Sequence, residues 1–168
     1  MNSERLKVLV AGFGNEYRED DAAGLIIARK IYAFLAGFAA VDAFLYLGQQ
    51  LLPELAEELD VDAAIFCDAD TQFFEKGFSI REVSPNPRLN GFNIHSMGPE
   101  WLLALAAQVD RRPKKALLLT VSGERFDFSD TPTPACLERI ERAEKAFREH
   151  WHENAYAGNG IDENDKFV

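Results

Sequence analysis

Apolar residues fall along this chain in two kinds of run. Short runs occupy residues 6–11 (LKVLVA), 41–47 (VDAFLYL), 63–67 (AAIFC) and 116–121 (ALLLTV), each closed by a glycine or a polar residue. Their length and bounding residues predict strands. AAIFC and ALLLTV are apolar on both faces, the pattern of a central parallel strand covered on two sides. Residues 77–83 alternate more and carry Arg81 and Glu82, which predicts an edge strand. Longer segments follow a helical period at 21–38, 99–108 and 134–151, and a shorter one spans 51–59 with Pro53 in its first turn. In the first of these, Leu25, Ile27, Ile31 and Leu35 lie among further apolar residues around much of the circumference. Such a helix packs broadly, against sheet and neighbouring helix alike. Gly24 would bring its first turn close to the strands, and Gly37 marks its end. In the last helix Leu137, Ile140, Ala143, Phe147 and Trp151 form an inner stripe. Glu138–Arg142, Glu141–Lys145 and Glu144–Arg148 are i,i+4 pairs on its outer face.

Strands that alternate with helices predict an α/β fold. The expectation is a single-domain three-layer sandwich, with a mostly parallel twisted sheet of about five strands and helices on both faces. The domain covers residues 1–152, and 153–168 form a polar, mobile tail. A chain of 168 residues holds one domain with a real core and is too short for two ordinary ones. A net charge of −10 argues against nucleic acid or an anionic membrane as the main partner. No apolar run is long enough to span a bilayer, and the start carries no secretory apolar region. Cys67 and Cys136 fit no metal or redox spacing and sit in apolar-patterned segments. Buried free thiols in a reducing cytoplasm are the expectation.

Chemistry should gather beyond the carboxyl ends of the strands. The first strand opens into Gly12-Phe13-Gly14-Asn15-Glu16-Tyr17-Arg18-Glu19-Asp20-Asp21. A dinucleotide fingerprint would need a third glycine where Tyr17 stands, and no Walker loop is present. Four carboxylates against one arginine would also repel a phosphate, so a nucleotide-binding domain is the weakest reading. Asp20 or Asp21 could serve simply as N-cap and dipole partner of the helix that follows. Alternatively, Asp21 after the first strand, Asp68 at the end of the third, and His95 in the loop 84–94 and its continuation could converge. Two carboxylates and an imidazole suit a divalent transition metal such as zinc or nickel, with positions left for water or substrate. A second polar loop, 122–133, carries Glu124, Asp127 and Asp130. A serine nucleophile elbow is absent, and Cys67 lies in an apolar strand that disfavours a thiolate.

Gly12-Phe13-Gly14-Asn15 with Asp20-Asp21 and Gly24, Asp68-Ala69, and His95-Ser96-Met97-Gly98 before a leucine-rich helix occur in order over residues 6–148. With Gly123-Glu124-Arg125-Phe126 and Thr133-Pro134, this series resembles the hydrogenase maturation proteases, endopeptidases that trim the large subunit of nickel–iron hydrogenases. The resemblance implies that Asp21, Asp68 and His95 are both metal ligands and catalytic residues. It implies a hydrogenase large-subunit precursor as partner, with nickel carried by that substrate and zinc or cadmium able to stand in for it. It implies a monomeric cytoplasmic enzyme. Glu16 and Asp20 are candidate general bases by position alone. Two departures stand out: Gly123 where the family usually has proline, and the charge of Glu16 in a loop that is commonly apolar. A reading from another class is a non-catalytic maturation chaperone that binds metal or precursor through the same residues.

Overall fold

A computed structural model describes residues 5–87 and 97–159. The first strand, β1 (Leu6–Phe13), runs two residues beyond its apolar stretch, because Gly12 and Phe13 still pair with Leu47 and Gly48. A 3-10 turn, Glu19–Ala22, then leads into α1 (Ala23–Ala36). β2 (Val41–Gly48), a 3-10 segment Pro53–Leu59, β3 (Ala63–Asp70), β4 (Phe78–Glu82), α2 (Pro99–Gln108), β5 (Lys115–Ser122) and α3 (Pro134–Asn159) follow in order. Each of the elements expected from the apolar pattern is present. The helix at 21–38 is shorter at both ends than its pattern. The short helix at 51–59 is a 3-10 segment starting at Pro53. The last helix continues past Trp151 to Asn159, so the polar segment expected to be a tail is helical at its start.

The sheet has five strands in the order β2-β1-β3-β5-β4. All neighbours are parallel except β4, which runs antiparallel to β5 on the edge. Alternation along the strands sends side chains to two faces. Val8, Val10, Ile65, Cys67, Leu117, Leu119 and Val121 face α1 and α3 and meet Ile27, Ile31, Leu35, Ile140 and Phe147. Leu9, Ala11, Ala64, Phe66 and Leu118 face the other way, onto Leu55, Leu59, Leu102 and Leu103. The fold is therefore a three-layer α/β sandwich. The broad apolar girth of α1 is explained by its neighbours, since it contacts β1, β2, β3 and α3.

Of the three ion pairs expected along α3, Glu144–Arg148 forms. Glu141 joins Glu144 on Lys30 of α1 instead, at 2.7 and 3.1 Å. A cation on a neighbouring helix thus competes with the i,i+4 partner. The hydrogen bond that Lys30 donates to Glu141 is the largest influence on it and, with that to Glu144, holds its ammonium group above the usual range despite burial.

Strand order locates the crevice. Connections from β1 leave toward β2 on one side, and the chain then returns to β3 on the other. From β1 the chain runs on to one edge of the sheet and from β3 to the other, so a cleft is left at their carboxyl ends, the usual ligand position of open α/β sheets.

Candidate functional site

Gly24 sets the depth of this cleft. A Cβ there would lie 2.4 Å from the Phe13 carbonyl oxygen, 2.8 Å from that of Cys67 and 2.9 Å from Asp68 Cα. Only glycine lets the first turn of α1 rest across the ends of β1 and β3. The 3-10 turn that precedes it is thereby laid against β3. Gly14 makes the matching approach from the loop side. Its φ is +144°, and a Cβ would sit 2.1 Å from the Asp21 carbonyl oxygen.

Asp21 and Asp68 are brought together by this packing. Asp21 Oδ2 accepts the Asn15 N–H at 2.9 Å, which orients the carboxylate within the loop. Asp68 Oδ1 accepts the N–H of Ala69 at 2.8 Å. Among the described residues, no donor reaches the second oxygen of either group. Asp68 is pushed up to about 7, chiefly by burial, with the negative charges of Asp21 and Asp70 adding to the effect. The single bond from Ala69 opposes this only in part. A cation bound at Asp68 would offset the burial and the like charges that raise it. Carboxylate oxygens are donors of the kind that a divalent cation takes. His95, the third candidate, lies outside the described residues. Among the described residues, no group of three or more His, Cys, Asp or Glu side chains is placed to hold a metal ion.

Asp20 is placed quite differently. It is fully buried, and its carboxylate turns away from Asp21 toward the loop after β5. Oδ2 accepts the N–H groups of Glu124 and Arg125 at 2.8 and 3.2 Å. Oδ1 accepts the N–H and the hydroxyl of Thr133 at 2.7 and 2.9 Å. Burial alone would raise its pKa; the bonds from Glu124, Thr133 and Arg125 outweigh it and hold the carboxyl below the ordinary value. Neither Asp20 nor Asp21 caps α1, whose N-cap is Ala22 with no side-chain bond. Nor is Asp20 placed as a general base, because both its oxygens are taken. Glu16 is exposed on the loop.

The loop 122–133 earns its functional look through its backbone more than its acids. The side chain of Glu124 pairs with Arg139, a buried arginine that also donates to the Ser122 carbonyl. Thr133 Oγ1 accepts the Cys136 N–H and so caps α3 in front of Pro134. Gly123, the departure from the family pattern, donates its N–H to the Asp70 carbonyl at 2.7 Å. A Cβ there would stand 2.6 Å from the Phe126 ring and 3.0 Å from Asp20 Cβ. A proline would lose that bond and crowd Asp20. Cys67 and Cys136 are free and buried, and burial raises both thiols, Cys136 to about 12. A thiolate nucleophile is thereby disfavoured.

An open α/β sheet with an acidic pair at its switch point defines the class. Within it, the fold is that of the hydrogenase maturation endopeptidases. The structure is similar to the hydrogenase maturating endopeptidase HybD from E. coli, with a TM-score of 0.65 and 23% identity over 89% of this chain and 93% of that one. An endopeptidase from Escherichia coli matches with a TM-score of 0.63 and 21% identity, covering 88% and 93% of the two chains. The [NiFe] hydrogenase maturation protease HycI from Thermococcus kodakarensis KOD1 matches at 0.62 and 20%, over 88% and 93%. At these identities the likeness is one of fold. No protein-family model and no curated protein matches the sequence. Among the described residues, no helix is long and apolar enough to cross a membrane.

Proposed function

We propose that this protein is an endopeptidase that removes a C-terminal extension from a nickel-loaded hydrogenase large-subunit precursor. The observation that carries the reading is the placement of Asp21 and Asp68 side by side at the switch point of a fold shared with maturation endopeptidases. The nickel belongs to the substrate. Asp21, Asp68 and His95 form the docking set for that ion, and binding there places the scissile peptide bond at the cleft. A divalent cation polarises a peptide carbonyl and eases deprotonation of water when bound. Zinc or cadmium occupies the same oxygen and nitrogen donors in the absence of substrate.

The chain's own residues supply orientation. Asn15 holds Asp21 through its N–H, and Ala69 holds Asp68. Burial and the charges of Asp21 and Asp70 push Asp68 up to about 7, and a bound cation would offset both. Hydrolysis adds water across one C–N bond. The new C–O bond leaves a carboxylate on the mature subunit and an amine on the released peptide. The protein works as a monomer in the cytoplasm, where its precursor is made.

Intact-mass measurement of the host's hydrogenase large subunits, with and without this gene, tests the reading. A longer C-terminus confined to the deletion strain is the expected result. Asp21→Asn, Asp68→Asn and His95→Ala should each fail to restore the shorter mass while remaining folded. Full processing by all three variants would remove the assignment of the site. Unchanged masses in the deletion strain, with no second protease compensating, would leave the non-catalytic chaperone as the better reading.

A further inference from the structure

Two loops from different strands are clasped together beside the acidic pair. Residues 17–20 follow β1, and residues 124–133 follow β5. Ser129 N–H donates to the Tyr17 carbonyl, Glu19 N–H to that of Ser129, and Asp20 N–H to that of Arg125, all at 3.0 Å. Arg18 adds two guanidinium bonds to the Phe126 carbonyl. Glu19, itself buried, accepts the Asp127 N–H at 3.2 Å. At its centre the Asp20 carboxylate gathers the donors of Glu124, Arg125 and Thr133. Glu19 adopts φ +44°, a left-handed backbone that a side chain rarely takes without support from its surroundings.

The consequence reaches Asp21. Consecutive residues of a 3-10 turn point in directions set by one backbone. With Asp20 locked inward by both its oxygens, the next residue is turned toward the cleft and Asp68. We propose that Asp20 is the positioning residue for Asp21, and that the loop after β5 is thereby part of the functional unit although it contributes no ligand. This rests on the reading of Asp21 as part of the processing site. The two adjacent acids thus have divided tasks. One is bound wholly to protein donors, and the other, held through the Asn15 N–H, is left to face a ligand.

Asp20→Asn tests this, since it exchanges one accepting oxygen for a donor that confronts N–H groups. Thr133→Val, with Thr133→Ser as the restoring variant, makes the test from the opposite loop while leaving Asp20 intact. The primary readout is the backbone amide spectrum of the purified protein, which needs no precursor. Loosening of the clasp alone would move the amides of Glu124, Arg125 and Thr133. Positioning predicts that the Asn15 amide, whose N–H bonds to Asp21, moves as well, by more than the Tyr17 and Arg18 amides that bond the Asn15 oxygens, and returns in Thr133→Ser. A second readout is cleavage of nickel-loaded precursor. A misplacement of about 1 Å lowers kcat by up to about 10²-fold, with KM little changed. An unmoved Asn15 amide in folded Asp20→Asn and Thr133→Val would overturn the positioning role. Failure of the wild-type protein to cleave would overturn the protease reading instead and leave the amide result standing.

Discussion

Asp20 is fully buried and Asp68 partly so, and the fold treats these two carboxylates oppositely. Asp20 meets four donor groups from a loop more than a hundred residues away and ionises more readily than an ordinary aspartate. Asp68 meets one, from its own neighbour, and is surrounded by like charge. Burial raises both, and the supply of donors decides the sign. A carboxylate with every oxygen satisfied is a structural bolt. One left short of donors beside another carboxylate is a site awaiting a cation or a proton. Donor supply also separates the two adjacent acids Asp20 and Asp21, with four donor groups on the first and one on the second, which composition alone would treat alike.

The sharpest way to break the contrast is to remove the bolt. Asp20→Ala leaves buried N–H groups of the clasp unpaired and should cost roughly 3–5 kcal/mol in chemical denaturation. Asp68→Ala, which deletes an unfavourable buried charge, should cost far less or raise stability in the same assay. Near-equal losses would mean that donor supply is not what distinguishes them.

Gly24→Ala attacks the packing that puts Asp68 against Asp21. The added methyl meets two backbone carbonyls and a Cα that cannot yield, so a loss of about 3 kcal/mol is expected in the same measurement. The acidic pair should separate with it, and the raised pKa of Asp68 should fall toward the ordinary value in a carboxyl titration by NMR. A wild-type titration in this variant would show that the packing of α1 sets neither the burial of Asp68 nor its spacing from Asp21.

The pH dependence of stability in metal-free protein should carry both signatures. Asp68 has a folded pKa above its unfolded one, so the folded state binds the extra proton between about 4 and 7. Stability then declines as pH rises through that window and levels off above it. Asp20 has the reverse shift. Its contribution is complete above its unfolded value and is lost as pH falls below it. Asp68→Asn should flatten the neutral decline and leave the acid limb, and Asp20→Asn should do the opposite. A neutral slope that survives Asp68→Asn would assign it to other groups.

The smallest effect is expected at the half-exposed charges between α1 and α3. Glu141→Ala removes one of two carboxylates from Lys30, and the other remains at 3.1 Å. About 0.5 kcal/mol, reduced further by salt, is the expected cost. A loss comparable with that of Asp20→Ala would show that charge pairing alone, without burial of the donors, was enough.

Much of this architecture was legible in local pattern. The double-faced apolar runs AAIFC and ALLLTV marked β3 and β5 as central, and the charged alternation near Arg81 and Glu82 marked β4 as an edge. Gly24 was readable as a close approach because a glycine in the first turn of an apolar helix has little other use. Asp68 was readable as a strand-end acid. The spacing did not separate Asp20 from Asp21, because the donors that tell them apart arrive from residues 124–133. The ion pairing of α3 was misread in part for the same reason, since Lys30 belongs to another helix. The end of α3 ran past its apolar stripe because a polar helix can extend beyond the core that anchors it.

What the sequence determined by itself is therefore the set of elements, their order, and the identity of the groups able to do chemistry. Period, turn residues and the two-sided apolarity of strands are local properties, and each side chain's chemistry is carried with it. Which acid became a bolt and which was left to face the cleft was decided by tertiary structure. A carboxylate's ionisation depends on the donors and charges within a few ångströms, and here those come from the far ends of other strands.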